Sequence, residues 1–175
     1  MSDPYNLRIY AAPLDRSLKG RQISSAAHRM LESLLLENYA LKPSDYTFTY
    51  GDMGKPHLLT ELPKPNVCFN LSHTAGMAVL AIGGVPVGVD VEHSQRIIPD
   101  AIRSRWLDSC PPEDALREWT MRESYGKLTG EGFNFALPKR PHVCRTWELN
   151  GFTITACVYD CDADSLPDNI ELFVN

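Results

Sequence analysis

The sequence has no basic stripe, no long apolar run, no leader-like start and no CxxC pair, and each absence removes a class of function. Seventeen Lys and Arg stand against 22 Asp and Glu, a formal net charge of -5, and the cations are scattered along the chain. A nucleic-acid binder needs a local cationic face to meet phosphates, so nucleic acid is not an expected partner. No apolar stretch reaches the roughly 18 residues of a membrane-spanning helix. MSDPYNLRIY at the start lacks the basic and apolar regions of a secretory leader. The expectation is therefore no membrane and a cytoplasmic location. The cysteines Cys68, Cys110, Cys144, Cys157 and Cys161 are odd in number, which supports neither a disulfide framework nor a zinc ribbon. They are expected as reduced, mostly buried thiols, and Cys157 with Cys161 lacks a second ligand pair for zinc.

What is present is enough for one compact globule: 175 residues, 43% hydrophobic, with three Trp, seven Tyr and six Phe. Leu7, Ile9 and Ala11 alternate before Pro13, which predicts a first strand over 6–11. Ala27, Met30, Leu31, Leu34 and Leu35 follow the spacing of a core-facing helix over 24–38. A loop centred on 51–57 precedes strand-like runs over 67–71 and 77–82, with Ser72, His73 and Thr74 as a connecting loop that could carry function. Gly83 and Gly84 then predict a tight hairpin to a returning strand over 85–92. Helices are expected over 98–106 and over 113–128, the latter stopping at Gly130 with Met121, Tyr125 and Leu128 buried. Phe152, Ile154, Ala156 and Val158 alternate as a late strand, before a short run over 170–174. The expected class is α+β.

In VPVGVDVE the valines Val85, Val87, Val89 and Val91 share one strand face, which leaves Asp90 and Glu92 on the other with Gly88 beside them. Two carboxylates about 7 Å apart at Cα suit a magnesium ion, which takes one or two carboxylates and completes its shell with water and phosphate oxygens. Taken alone, a solvated strand face is the commoner explanation. Glu123 and Lys127, four apart on a helix, could place a carboxylate and an anion-binding ammonium at one pocket, or form an ordinary surface pair worth about 0.3–0.5 kcal/mol. Ser72 and His73, Lys55 ahead of a stiffening proline, and Arg29 on the first helix are further groups able to hold phosphate or base.

These segments occur together and in order: AHR at 27–29, GKP at 54–56, FNLSH at 69–73, VGVDVE at 87–92 and WTMRES..K at 119–127. From about Arg21 onward the chain resembles the surfactin-synthetase-activating type of 4'-phosphopantetheinyl transferase. The resemblance implies a pseudo-dimer of two similar α+β halves, taken here as 1–84 and 85–175, with coenzyme A between them. It implies that Asp90, Glu92 and Glu123 bind Mg2+, that Lys127 and His73 hold the pyrophosphate, and that Arg29, Lys55 and Ser72 hold the adenosine 3'-phosphate and adenine end. Glu123 and Lys127 would be catalytic, an apo acyl or peptidyl carrier protein would be the partner, and the protein would work as a monomer. The alternative is a non-catalytic coenzyme A or nucleotide-binding module of the same fold. Two departures stand out: Arg122 where the family commonly has lysine, and a chain shorter than typical members. Carrier contacts are assigned to the region of Arg103 and Arg105 or to FNFALPKR at 133–140.

Overall fold

The computed structural model describes residues 6–51, 54–60, 67–107, 110–132 and 140–174. The first alternation forms β1 (Arg8–Pro13), and the helical period forms α1 (Arg21–Tyr39), whose buried stripe is Ile23, Ala27, Met30, Leu31, Leu34 and Leu35. A short hairpin follows, β2 (Tyr46–Tyr50) with β3 (Pro56–Thr60), and then β4 (Cys68–Thr74) and β5 (Met77–Gly83). The remainder contributes β6 (Gly88–His93), α2 (Asp100–Trp106), α3 (Ala115–Thr129), β7 (His142–Leu149), β8 (Phe152–Tyr159) and β9 (Glu171–Leu172). The class is α+β, as expected. No helix among the described residues is long and apolar enough to cross a membrane.

Two larger sheets result, in the orders β4-β5-β1-β9 and β6-β8-β7. Both place the last strand of an antiparallel pair at the centre, next to a strand that precedes a helix. Thus β5 lies between β4 and β1, and β8 lies between β7 and β6, antiparallel throughout. Their inner faces share one core: Ile9, Ala11, Val79 and Ala81 from the first sheet meet Val87, Val89, Val91, Ile154, Ala156 and Val158 from the second. The outer face of the first sheet is covered by α1 through Met30, Leu31, Leu34 and Leu35. The outer face of the second is covered by α3, where Tyr125 and Leu128 pack against Cys157. The valine face of VPVGVDVE is core, as its period predicts.

Several expectations are corrected. Gly83–Gly84 is not a hairpin turn, since β5 already has β1 and β4 as neighbours and β6 joins the other sheet. Neither glycine has positive φ; Gly83 is needed for close approach, because a Cβ there would lie 2.7 Å from Leu7 Cα. Ser72, His73 and Thr74 belong to β4 rather than to a loop, and β3 begins inside the stretch read as a loop. Met121 is only half-buried, and Thr120 and Ser124 take its place under α3. The cysteines are not all reduced or mostly buried. Cys144 and Cys157, opposite each other on β7 and β8, are joined as a disulfide. Cys68 and Cys110 are half-buried and Cys161 is exposed.

Candidate active site

The edge strand β4 of one sheet abuts the edge strand β6 of the other, and side chains replace a backbone ladder there. Asn70 Oδ1 accepts the Val89 amide at 2.8 Å, and Ser72 Oγ accepts the Val91 amide at 3.3 Å. Asn70 and Ser72 sit two apart and so share the strand face that looks toward β6. Ser72 Oγ also donates to Asp90 Oδ1 at 3.0 Å. Above this junction α3 crosses β6 so closely that a Cβ on Gly88 would fall 1.9 Å from Ser124 O and 2.4 Å from Leu128 N. Buried hydroxyl bonds, Thr120 to Thr155 at 2.8 Å and Ser124 to the Thr155 carbonyl at 2.7 Å, fix the helix on β8.

That seating brings Lys127 down onto the strands. Its ammonium donates to Asp90 Oδ1 at 2.7 Å and to Ser72 Oγ at 2.9 Å. The surface pair with Glu123 that the helical spacing allowed gives way to an inward one. Asp90 is only 5% exposed, so a solvated strand face is excluded for it. Its second oxygen, Oδ2, is buried without a hydrogen-bond partner, an arrangement that costs free energy unless something positive completes it. Glu123 lies near enough to feel Asp90. Burial and then that second carboxylate push its carboxyl above the usual range, against the opposing pull of Lys127 and Arg96.

Glu92 is held otherwise: Arg96, in the turn after β6, donates a guanidinium hydrogen bond to Glu92 Oε1 and lies over the Trp119 ring of α3, 5.3 Å from its centroid. Among the described residues no three Asp, Glu, His or Cys side chains converge closely enough to hold a metal ion together. The donor set nevertheless suits a hard cation. It offers oxygen atoms only, an orphaned buried carboxylate oxygen on Asp90, and a second carboxylate at Glu123 whose charge burial disfavours. Glu92 is the third carboxylate of this region and is engaged by Arg96.

Beside this junction a cleft of about 210 Å3 is lined by Gly54, Lys55, Asn70, Gly126, Lys127 and Gly130 among others. Two ammonium groups over a glycine-rich wall form a place where phosphate oxygens can come close to backbone and cation together. Lys55 donates to the Leu128 carbonyl at 3.1 Å, and burial pushes its pKa down.

His73 points away from Ser72, as neighbours on a strand must, and its Nε2 lies 3.1 Å from Ser24 Oγ of α1. Partial burial of the imidazole, then the charge of Lys127, push its pKa down. Arg29 is on another side of α1, in a separate cleft with Met30 and Phe173. Arg103 pairs with Asp100 at 3.3 Å and Arg105 stacks on Trp106. FNFALPKR lies outside the described residues except for Arg140. Arg122 pairs with Glu118 at 2.6 Å. Four contributors were missed in the sequence: Asn70, Arg96, Trp119 and Ser24. Asn70 was findable by strand period from Ser72; Ser24 meets His73, and Arg96 meets Trp119, only through the fold.

Two lysines at a cleft thus stand beside the buried Asp90 carboxylate, at a junction of two like-ordered sheets. No family model matches the chain, but over about three fifths of its length it is similar to curated 4'-phosphopantetheinyl transferases. It is 30% identical over 120 residues to the 4'-phosphopantetheinyl transferase psf-1 of Bacillus pumilus, which covers 62% of this chain and 50% of that protein. With the 4'-phosphopantetheinyl transferase Sfp of Bacillus subtilis (strain 168) the identity is 29% over 129 residues, 63% of this chain and 56% of the relative. With HetI of Nostoc sp., also a 4'-phosphopantetheinyl transferase, it is 29% over 126 residues, 64% and 53%. The chain spans about half the length of the curated relatives it matches.

Proposed function

We propose that this protein transfers the 4'-phosphopantetheine moiety of coenzyme A to a serine of an apo acyl or peptidyl carrier protein, with Mg2+, and releases 3',5'-ADP. The observation that carries this reading is the inward triad of Asp90, Ser72 and Lys127 beside an orphaned carboxylate oxygen and a two-lysine cleft. It is supported by relatives that all bear the same activity in their names. We also read the common strand order of β4-β5-β1 and β7-β8-β6 as a pseudo-dimer of two similar halves, with the site at their junction. A chain with both halves needs no second copy to complete the site, which favours a monomer.

In this mechanism the carrier serine oxygen bonds to the β-phosphorus of coenzyme A, and the bond from that phosphorus to the oxygen of 3',5'-ADP breaks. Lys127 binds the pyrophosphate oxygens and offsets the charge that builds on them, and Lys55, on the same cleft, serves the adenosine 3'-phosphate end. Lys127 exchanges its bond to Asp90 Oδ1 for one to phosphate, while Asp90 Oδ2, unpartnered in the protein alone, is open to the cation throughout. Glu123, with Asp90 and Glu92, would hold the divalent cation, whose contribution is to neutralise phosphate charge. Glu123 takes the serine proton, directly or through a water, a role to which its raised pKa is suited. His73 holds the pyrophosphate from the α1 side. Arg29 serves the adenosine end only by reaching around α1 from its own cleft.

The test is release of 3',5'-ADP from coenzyme A in the presence of an apo carrier and Mg2+, followed chromatographically. Carrier-dependent release that stops with chelator is expected. Coenzyme A binding with no release across acyl and peptidyl carriers would favour the non-catalytic binding module.

A further inference from the structure

Arg96 is the one cation at the site that no feature of the sequence singled out, and its surroundings set it apart from a surface ion pair. Its guanidinium bonds Glu92 on β6 and lies on Trp119 of α3, one turn before Glu123 on the same helix. It thus bridges the two elements that carry the acidic groups, and its charge acts on Glu123 as well. The turn that presents it is pinned. Ser94 Oγ donates to Glu148 Oε2 at 2.6 Å and lies 3.1 Å from Thr153 Oγ1, while Ser94 N donates to the Gly151 carbonyl at 2.9 Å. Exposed ion pairs gain little and are rarely anchored in this way.

Charge bookkeeping points to what the arrangement lacks. Asp90, Glu92 and Glu123 face Lys127 and Arg96, three formal negative charges against two positive. Asp90 Oδ2 stays unpartnered while the guanidinium sits on Glu92. Exchange of Arg96 for a dication would make the group neutral and give Oδ2 a ligand. The exposures suit that exchange: the Glu92 side chain is 15% exposed and stays inside, whereas Arg96 at 37% can swing out to water.

We propose that Arg96 is the resident counter-ion of this carboxylate site: it holds Glu92 while no divalent cation is bound and releases it when one binds, so that metal affinity is set by this competition. The inference rests on the metal-dependent reading of the site given above. Trp119, on which the guanidinium lies while it holds Glu92, reports its departure.

The test is Mn2+ binding to the full chain by electron paramagnetic resonance, without carrier or coenzyme A, for wild type, Arg96→Met and Arg96→Lys. Removal of a competing cation should tighten Mn2+ binding in Arg96→Met on the order of tenfold at low salt, with Arg96→Lys in between. Mg2+ should change tryptophan fluorescence in wild type but not in Arg96→Met, and Trp119→Phe should remove the change. Equal Mn2+ affinity in wild type and Arg96→Met would overturn the role of Arg96 and leave the metal site standing. Absence of Mn2+ binding in every form would overturn the metal reading and this inference with it.

Discussion

At the scale of single residues, the site is defined by groups whose charge the fold does not fully satisfy. Glu123 is the clearest: burial and Asp90 favour its protonated form. Because the folded state then holds this proton to higher pH than the unfolded chain, ionisation of Glu123 progressively costs stability as pH rises from the ordinary carboxylate range through the raised folded value. Glu123→Gln has no such ionisation. Its stability relative to wild type in urea titrations should therefore climb over that acid window and level off above it. The same variant should lose transfer by a factor of about 100 or more with unchanged circular dichroism, the loss expected for a general base. Near-normal turnover would remove Glu123 from the chemistry. Lys127→Met should cost about 1–3 kcal/mol of stability, because it strips the buried Asp90 carboxylate of its charged donor, and should weaken coenzyme A binding. An unchanged urea midpoint would show that the inward pair contributes nothing to the fold.

At the scale of elements, the close crossing of α3 over β6 aims Lys127 and Glu123. Gly88→Ala forces a Cβ into the backbone of Ser124 and Leu128, so the helix must lift. Overpacking of this kind typically costs about 1–3 kcal/mol, and both denaturation and metal binding should register it. An alanine variant as stable as wild type would mean that α3 is not seated as described. Much of this layer was legible in the sequence. The period of Met30, Leu31, Leu34 and Leu35 marks α1, and the valines of VPVGVDVE mark a core face, because deep burial enforces a clean repeat. The repeat fades in β7, where every side chain is half-buried or exposed, so HVCRTWEL carries no strand signature. The β2–β3 hairpin was hidden likewise by its mixed exposure. Gly83–Gly84 looked like a turn because glycine permits both tight turns and close approach, and only the packing against Leu7 separates them.

At the scale of the whole molecule, two sheets of the same strand order meet edge to edge and share one core, so the site exists only where both are in place. Local reading singled out Asp90, Glu92, Glu123 and Lys127 because their motifs are contiguous. It could not find that Glu92 belongs to Arg96, that Lys127 belongs to Asp90, or that Ser72 and His73 look opposite ways, since these are facts about how strands and helix abut. Arg29 was placed by motif order alone, and the fold sets it in a different cleft. The most direct test of the transfer activity is the intact mass of an apo carrier protein after incubation with this protein, coenzyme A and Mg2+. A gain of one phosphopantetheine group is expected, lost with chelator and with Glu123→Gln. An unmodified carrier, for acyl and peptidyl carriers alike under conditions where coenzyme A is bound, would contradict it.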